Sequence, residues 1–379
     1  MLEHARRKEG LDDLGPGAIE EPLSRLLAAY AEADLSEGGL SVLRGGVVHA
    51  LRMRLRSQEW FRRHPEIAEE QVTDPVVVVG MMRSGTTLLQ RLLAADPAHR
   101  CAYGWEVAQV APALDHDWAA PDPRVAAALE RQELMRTFTP DLFAIHPMYA
   151  EEAEEEIVFL ADAFLSHVPE SGAHVPAYRA WLDTQDLTPA YDHLHRMLQL
   201  LQWQKRRRGE PGGRWVLKTP AHLGYLDTLR VRFPCLHLVH LHRDPRTTIA
   251  SGASLNATLH ALHSGHVDLH RLGADWLDRM GWATDRALAT RDRWANEPEA
   301  PSVTDIRFDT AVADPLGQVA RVYADLKVPL TPEARQAMTD WLQRRPREAG
   351  RPDYRLETYG LAPEQVDARF AEYRRRFLD

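Results

Sequence analysis

Pro75-Val76-Val77-Val78-Val79-Gly80-Met81-Met82-Arg83-Ser84-Gly85-Thr86-Thr87-Leu88-Leu89 passes from an unbroken β-branched run, through two glycines, into a leucine-rich segment. Val76 to Val79 have the character of a strand buried on both faces of a parallel sheet, and Leu88, Leu89, Leu92 and Leu93 repeat at helical spacing. The stretch between them is a strand-to-helix loop, where backbone N–H groups and the positive end of the helix dipole converge on an anion. A triphosphate-binding loop of this frame reads G-x-x-x-x-G-K-[ST], its lysine reaching the terminal phosphates and its hydroxyl holding magnesium. Thr86 stands where that lysine belongs. The only cation of the loop is Arg83, whose planar guanidinium suits two-point contact with an oxyanion. Arg83, Ser84, Gly85, Thr86 and Thr87 are therefore the first candidate anion-binding residues.

Working outward, strand signals recur at Trp215-Val216-Leu217, Leu236 to Leu241 and Ser302 to Phe308, at separations that admit helices. This is an α/β pattern: a central parallel sheet flanked by helices. Leu23, Leu26, Leu27 and Tyr30 share one helical face, and Val42 to Trp60 carries a second amphipathic pattern, so residues 1–70 form an N-terminal helical extension. Residues 74–330 form the core, interrupted by a helical insertion at about 110–205, and residues 331–379 a helical tail, all within a single domain. Within the insertion the spacing predicts helices over Val125 to Met135, over the acidic stretch from Glu151 through Leu165, and from Thr188-Pro189 onward. The basic run Lys205 to Arg208 falls where that last helix ends, and reads as a solvated terminus whose cations suit the dipole.

With 44% apolar and 27% charged residues the chain of 379 can bury a sizeable core. Its net charge of −9 argues against nonspecific nucleic-acid binding. No apolar stretch approaches the ~20 residues of a membrane span, and the first residues lead into no signal-peptide core, so a cytoplasmic location is the expectation. Cys101 and Cys235 lack metal-ligand spacing. The histidines 260, 263, 266 and 270 do not share one helical face, and His240 and His242 alternate at the period of a strand, so no metal site is expected.

A second basic turn lies in Leu236-His237-Leu238-Val239-His240-Leu241-His242-Arg243-Asp244-Pro245-Arg246, running on to Ser251. Arg243 and Ser251 face one anion from opposite ends of this element, which makes a second phosphate group the natural ligand. Together the two segments resemble the sulfotransferase family that uses 3′-phosphoadenosine 5′-phosphosulfate (PAPS). The likeness extends through Trp215 to His222, through Ile306-Arg307-Phe308-Asp309, and through Asp353 to Leu361, and is strongest to a bacterial branch related to tyrosylprotein sulfotransferases. It implies a P-loop-like sulfotransferase fold and transfer of a sulfuryl group from PAPS to a hydroxyl, in line and without a metal. It also implies that the Arg83-Ser84-Gly85-Thr86-Thr87 loop holds the 5′-phosphosulfate, that Arg243 and Ser251 hold the 3′-phosphate, and that Lys218 reaches the bridging oxygen or the sulfonate. Sulfuryl carries one negative charge fewer than phosphoryl, so the missing lysine suits this donor. A kinase or triphosphatase of the same fold, and a noncatalytic nucleotide-binding protein, are the alternatives.

The acceptor hydroxyl loses a proton as the sulfuryl group arrives, which calls for a base. The resemblance offers two: Glu106, placed as in the tyrosylprotein enzymes, and His222, placed near the histidine of the cytosolic enzymes but shifted by Pro220 and Ala221. In the acidic segment Glu155 or Glu156 is the inward candidate for a site role. In the tail, Arg351 stands where bacterial relatives tend to carry a lysine on the 3′-phosphate, and Asp353 where they carry a histidine. Phe138, Phe143, Tyr149 and Trp181 in the insertion suit a small hydrophobic alcohol, a phenol, a polyketide or a peptidyl tyrosine.

Overall fold

In the computed structural model, which describes residues 1–210, 212–345 and 354–379, the β-branched run forms strand β1 (Val76–Val79), and all four of its residues are fully buried. Four more strands follow: β2 (His99–Arg100), β3 (Arg214–Lys218), β4 (His237–His242) and β5 (Ser302–Arg307). They make a parallel sheet in the order β2-β3-β1-β4-β5. The two-residue β2 is too short to leave a periodic signal.

This order decides where a ligand can sit. The chain leaves β1 for one edge of the sheet, returns beside it as β3, and then crosses to its other side as β4. The strand order therefore reverses at β1, and ligands of open α/β sheets bind beyond the carboxyl ends of the strands at such a point. Three segments converge there: the loop after β1, the end of β3 at Lys218, and the turn after β4 at Arg243. Register fixes two of them, since Val78 pairs with Lys218 on one side and with Val239 on the other.

The N-terminal helices Glu20–Glu32 and Glu37–Arg63 bury Leu23, Leu26, Val47 and Leu51 in the same core as Val77 and Leu238 of the sheet. Thr188-Pro189 opens a helix that runs to Arg207. The helix expected over Glu151 to Leu165 is corrected to five residues, Ile157–Ala161. Before it the acidic strip is irregular, because its backbone and carboxylates answer distant partners. Glu154 N–H donates to the carbonyl of Ala102, and the Arg91 guanidinium donates to the carbonyl of Ala153 at 3.2 Å. Trp341 Nε1 donates to Glu152 at 3.0 Å.

His240 and His242 are buried as the strand period predicts. Their ring nitrogens and an oxygen of Asp305 lie within 4.8 Å of one another, but the cation in that cluster is Arg291, which donates to both Asp305 oxygens at 2.6 and 2.7 Å. No helix among the described residues is long and apolar enough to cross a membrane.

Candidate active site

The loop expected to bind an anion turns sharply from strand to helix. Gly85 adopts φ 94°, and a Cβ there would lie 2.8 Å from Phe308, so glycine alone lets the chain turn into the helix Thr86–Ala94. No side chain caps that helix, which leaves its first N–H groups to a ligand. Arg83 is a non-glycine residue at φ 72°, a conformation that persists where surrounding contacts enforce it. Its carbonyl accepts Arg243 Nη1 at 2.7 Å, its Nε donates to Ser251 Oγ at 3.2 Å, and its Nη1 donates to the Ile145 carbonyl at 2.8 Å. The structure thus joins Arg83, Arg243 and Ser251, which are far apart in sequence. Arg246 stays outside this group and pairs with Asp367 at the surface. Ser84 Oγ is buried with no hydrogen-bond partner among the described residues. Arg351 and Asp353 lie outside the described residues.

Two further side chains support this group: Phe308, which the sequence placed only in a strand and in a stretch resembling the family, and Tyr373, which no motif marked. Phe308 packs on Gly85 and lies under the Arg243 guanidinium, 3.8 Å from ring centroid to Cζ. Tyr373, from the C-terminal tail, accepts the Arg243 N–H at 3.3 Å. Neither role has a local signal, because each side chain acts through a contact made only after folding.

Lys218 is 1% exposed at the end of β3. Its Nζ donates to Thr87 Oγ1 at 3.2 Å and to Glu155, and its own N–H donates to Glu156 Oε2 at 3.0 Å. Burial would raise the Glu155 carboxyl, but the Lys218 ammonium, helped by His146 and Thr219, holds it below its ordinary value. Glu156 turns away from the cavity and meets His222 Nε2 at 2.8 Å, while His222 Nδ1 meets the Tyr191 hydroxyl at 2.9 Å. His222 is therefore fully buried with both ring nitrogens engaged, behind Pro220 and Ala221, which do line the cavity.

Glu106 is also fully buried, away from the cavity. Its carboxylate accepts Lys205 Nζ at 2.8 and 2.9 Å, Arg208 Nη2 at 2.6 Å and the Tyr103 N–H at 3.0 Å. This corrects the reading of Lys205 to Arg208 as a solvated run at its two ends, while Arg206 and Arg207 are exposed: Lys205 is 1% exposed, because its ammonium is the counter-ion of a carboxylate 99 positions earlier. Removing one partner of such a pair leaves an uncompensated buried charge, at a cost of about 3 kcal/mol or more. Glu106→Gln is therefore expected to lower the urea midpoint markedly while activity per folded molecule stays near that of the parent. Loss of turnover at unchanged stability would restore Glu106 to the chemistry.

The loop opens into one cavity of about 850 Å³. Arg83, Gly85, Thr86 and Thr87 line one end together with His146 and Glu155. Leu142, Ile145, Ile157, Leu255, Leu259 and Met280 add apolar surface to the same cavity, whose lining also carries Glu170, Arg179, Asp275 and Arg279. Donors for an oxyanion and a surface for an apolar molecule thus share one enclosure, an arrangement suited to moving an anionic group between two bound molecules.

Comparison with known proteins gives the same picture. The model of the family described as "Sulfotransferase family" matches residues 75–332. The solved structure of sulfotransferase STF1 from Mycobacterium tuberculosis H37Rv is similar at 34% identity and TM-score 0.84, over 98% of this chain and 97% of that one. Sulfotransferase STF9 from Mycobacterium avium aligns at 26% identity and TM-score 0.88, over 100% and 95%. In sequence, the chain is 26% identical over 335 residues to the omega-hydroxy-beta-dihydromenaquinone-9 sulfotransferase Stf3 of Mycobacterium bovis, covering 81% of this chain and 76% of that protein.

Proposed function

The chain belongs to the sulfotransferase family, a family of transferase enzymes, and from that we propose that it moves the sulfuryl group of PAPS to the hydroxyl of an apolar, lipid-like alcohol. The observation that carries this reading is that one cavity is lined both by an uncapped helix start with a fixed guanidinium and by aliphatic side chains. The family supports sulfuryl transfer. The relative that acts on a menaquinone derivative supports the lipid-like acceptor.

On this reading the N–H groups of Gly85, Thr86 and Thr87, with Arg83 and the Ser84 hydroxyl, hold the 5′-phosphosulfate, while Arg243 and Ser251 hold the 3′-phosphate. Lys218, at the Thr87 hydroxyl, meets the charge that develops on the leaving phosphate. The wall of Leu142, Leu255 and Leu259 aligns the alcohol behind sulfur, so that entering and leaving oxygens lie on opposite sides. Neither reactant becomes bonded to the protein.

Radiolabelled PAPS offered with straight-chain alcohols of increasing length tests this. Each methylene buried against the wall contributes about 0.8 kcal/mol, so KM should fall by up to about fourfold per added carbon until the cavity is filled. Transfer that favours short polar alcohols, or magnesium-dependent ATP turnover in its place, would overturn the reading.

A further inference from the structure

Glu106 and His222 are enclosed in buried pairs, yet the acceptor hydroxyl needs a proton acceptor on the cavity wall. His146 lines that wall. It ends the short helix Pro140–Ile145, on a strip fastened at two points to the phosphate end of the cavity. Its neighbour Ile145 offers its carbonyl to Arg83 at 2.8 Å, and Pro147 offers its carbonyl to Arg91 of the loop helix at 3.5 Å. The ring lines the same end of the cavity as Arg83, Thr87 and Glu155. No described residue hydrogen-bonds its nitrogens, in contrast to His222.

The charged groups facing this imidazole are Glu154 and Glu155 from the acidic strip, Lys218 from β3, and Arg83 from the loop. Burial pushes its pKa below the ordinary 6.5; the two carboxylates oppose that shift, and Lys218 and Arg83 add to it. The ring is therefore neutral at pH 7, as a base must be. Glu155 is the poorer base, because its carboxylate is held by the Lys218 ammonium. A group already paired with a cation accepts a proton less readily.

We propose that His146 is the general base of the transfer, taking the acceptor proton on a ring nitrogen while Glu155 positions Lys218 and faces the resulting imidazolium. This assignment rests on the proposed sulfuryl transfer. In the step, a lone pair of the acceptor oxygen forms the new O–S bond. The S–O bond to the 5′-phosphate breaks, with its electron pair passing to the phosphate oxygen, and the hydroxyl proton moves to His146. The products are a sulfate monoester and adenosine 3′,5′-bisphosphate, and the imidazolium returns its proton to solvent after the products leave.

The test compares wild type, His146→Gln and His146→Ala in the labelled-donor assay across pH, with calorimetric binding of adenosine 3′,5′-bisphosphate and thermal melts as controls. Both variants should bind the bisphosphate as wild type does and lose at least about 100-fold in kcat. Wild-type kcat should fall on the acid side of pH 6.5 as the imidazole protonates, and the residual activity of His146→Gln should lack that limb. Added imidazole should restore part of the turnover of His146→Ala. A folded His146→Gln with kcat near wild type, or one that keeps the acid limb, overturns the assignment while leaving the transfer reaction intact. If wild type moves no sulfuryl group from PAPS to any alcohol, the reading of the site falls and His146 with it.

Discussion

Replacing Arg83 by alanine is expected to lower kcat/KM for the sulfuryl donor by about 30- to 5,000-fold, the equivalent of the 2–5 kcal/mol seen when one member of a buried, hydrogen-bonded charge contact is removed. The size of the effect follows from what Arg83 joins. It hydrogen-bonds Arg243 through its carbonyl, Ser251 through Nε and the Ile145 carbonyl through Nη1, so one residue holds the loop, the second basic turn and the cavity wall in register. Its left-handed backbone raises a second possibility, that loop geometry rather than the guanidinium is what a variant loses. Arg83→Gly resolves this, because glycine adopts φ 72° at little cost whereas alanine does not. Equal losses in the two variants, with bisphosphate affinity reduced alike, assign the effect to the guanidinium. Arg83→Lys should recover little, since an ammonium cannot bond Ser251 and Ile145 while also meeting an oxyanion in the planar fork that arginine provides. A lysine variant with wild-type turnover would sink the account.

What could be read from sequence divides along local and nonlocal lines. Val76 to Val79 and the leucines after Thr87 gave the buried strand and the helix, because side-chain chemistry there matches the backbone period. Arg83 and Arg243 could be proposed as anion-binding residues because each lies on a short strand-to-helix turn, whereas Ser251 sits within the helix Pro245–Ala261 and entered through the family resemblance. The acidic strip before Ile157 was misread as helix because its conformation is set by Arg91, Lys218 and Trp341, whose positions no local window contains. Lys205 was placed in solvent by a sound rule about helix ends, and the rule yielded to a buried carboxylate from another part of the chain. His146 left no trace at all: a single histidine before a proline becomes notable only when Arg83 and Arg91 draw its neighbours to the mouth of the loop.

The second large effect is expected at Lys218. Lys218→Met keeps the length of the side chain and removes its charge, and should reduce kcat by about 10²- to 10³-fold, the range for removing one preorganised donor to a developing oxyanion. The same change strips Glu155 of its main cation. Burial then dominates the Glu155 carboxyl, its pKa rises, and the fold is destabilised. Activity could therefore fall either because the leaving phosphate loses a cation or because an unpaired carboxylate distorts the site. The double variant Lys218→Met with Glu155→Gln separates the two, since it leaves no uncompensated charge. Its melting temperature should recover toward wild type while kcat stays as low as in Lys218→Met alone. Recovery of both would mean that Lys218 serves only to neutralise Glu155. Recovery of stability alone, in a double variant whose kcat lies well below that of Glu155→Gln alone, places the ammonium at the breaking S–O bond, where the pairing of Lys218 Nζ with Thr87 at the start of the loop helix already aims it.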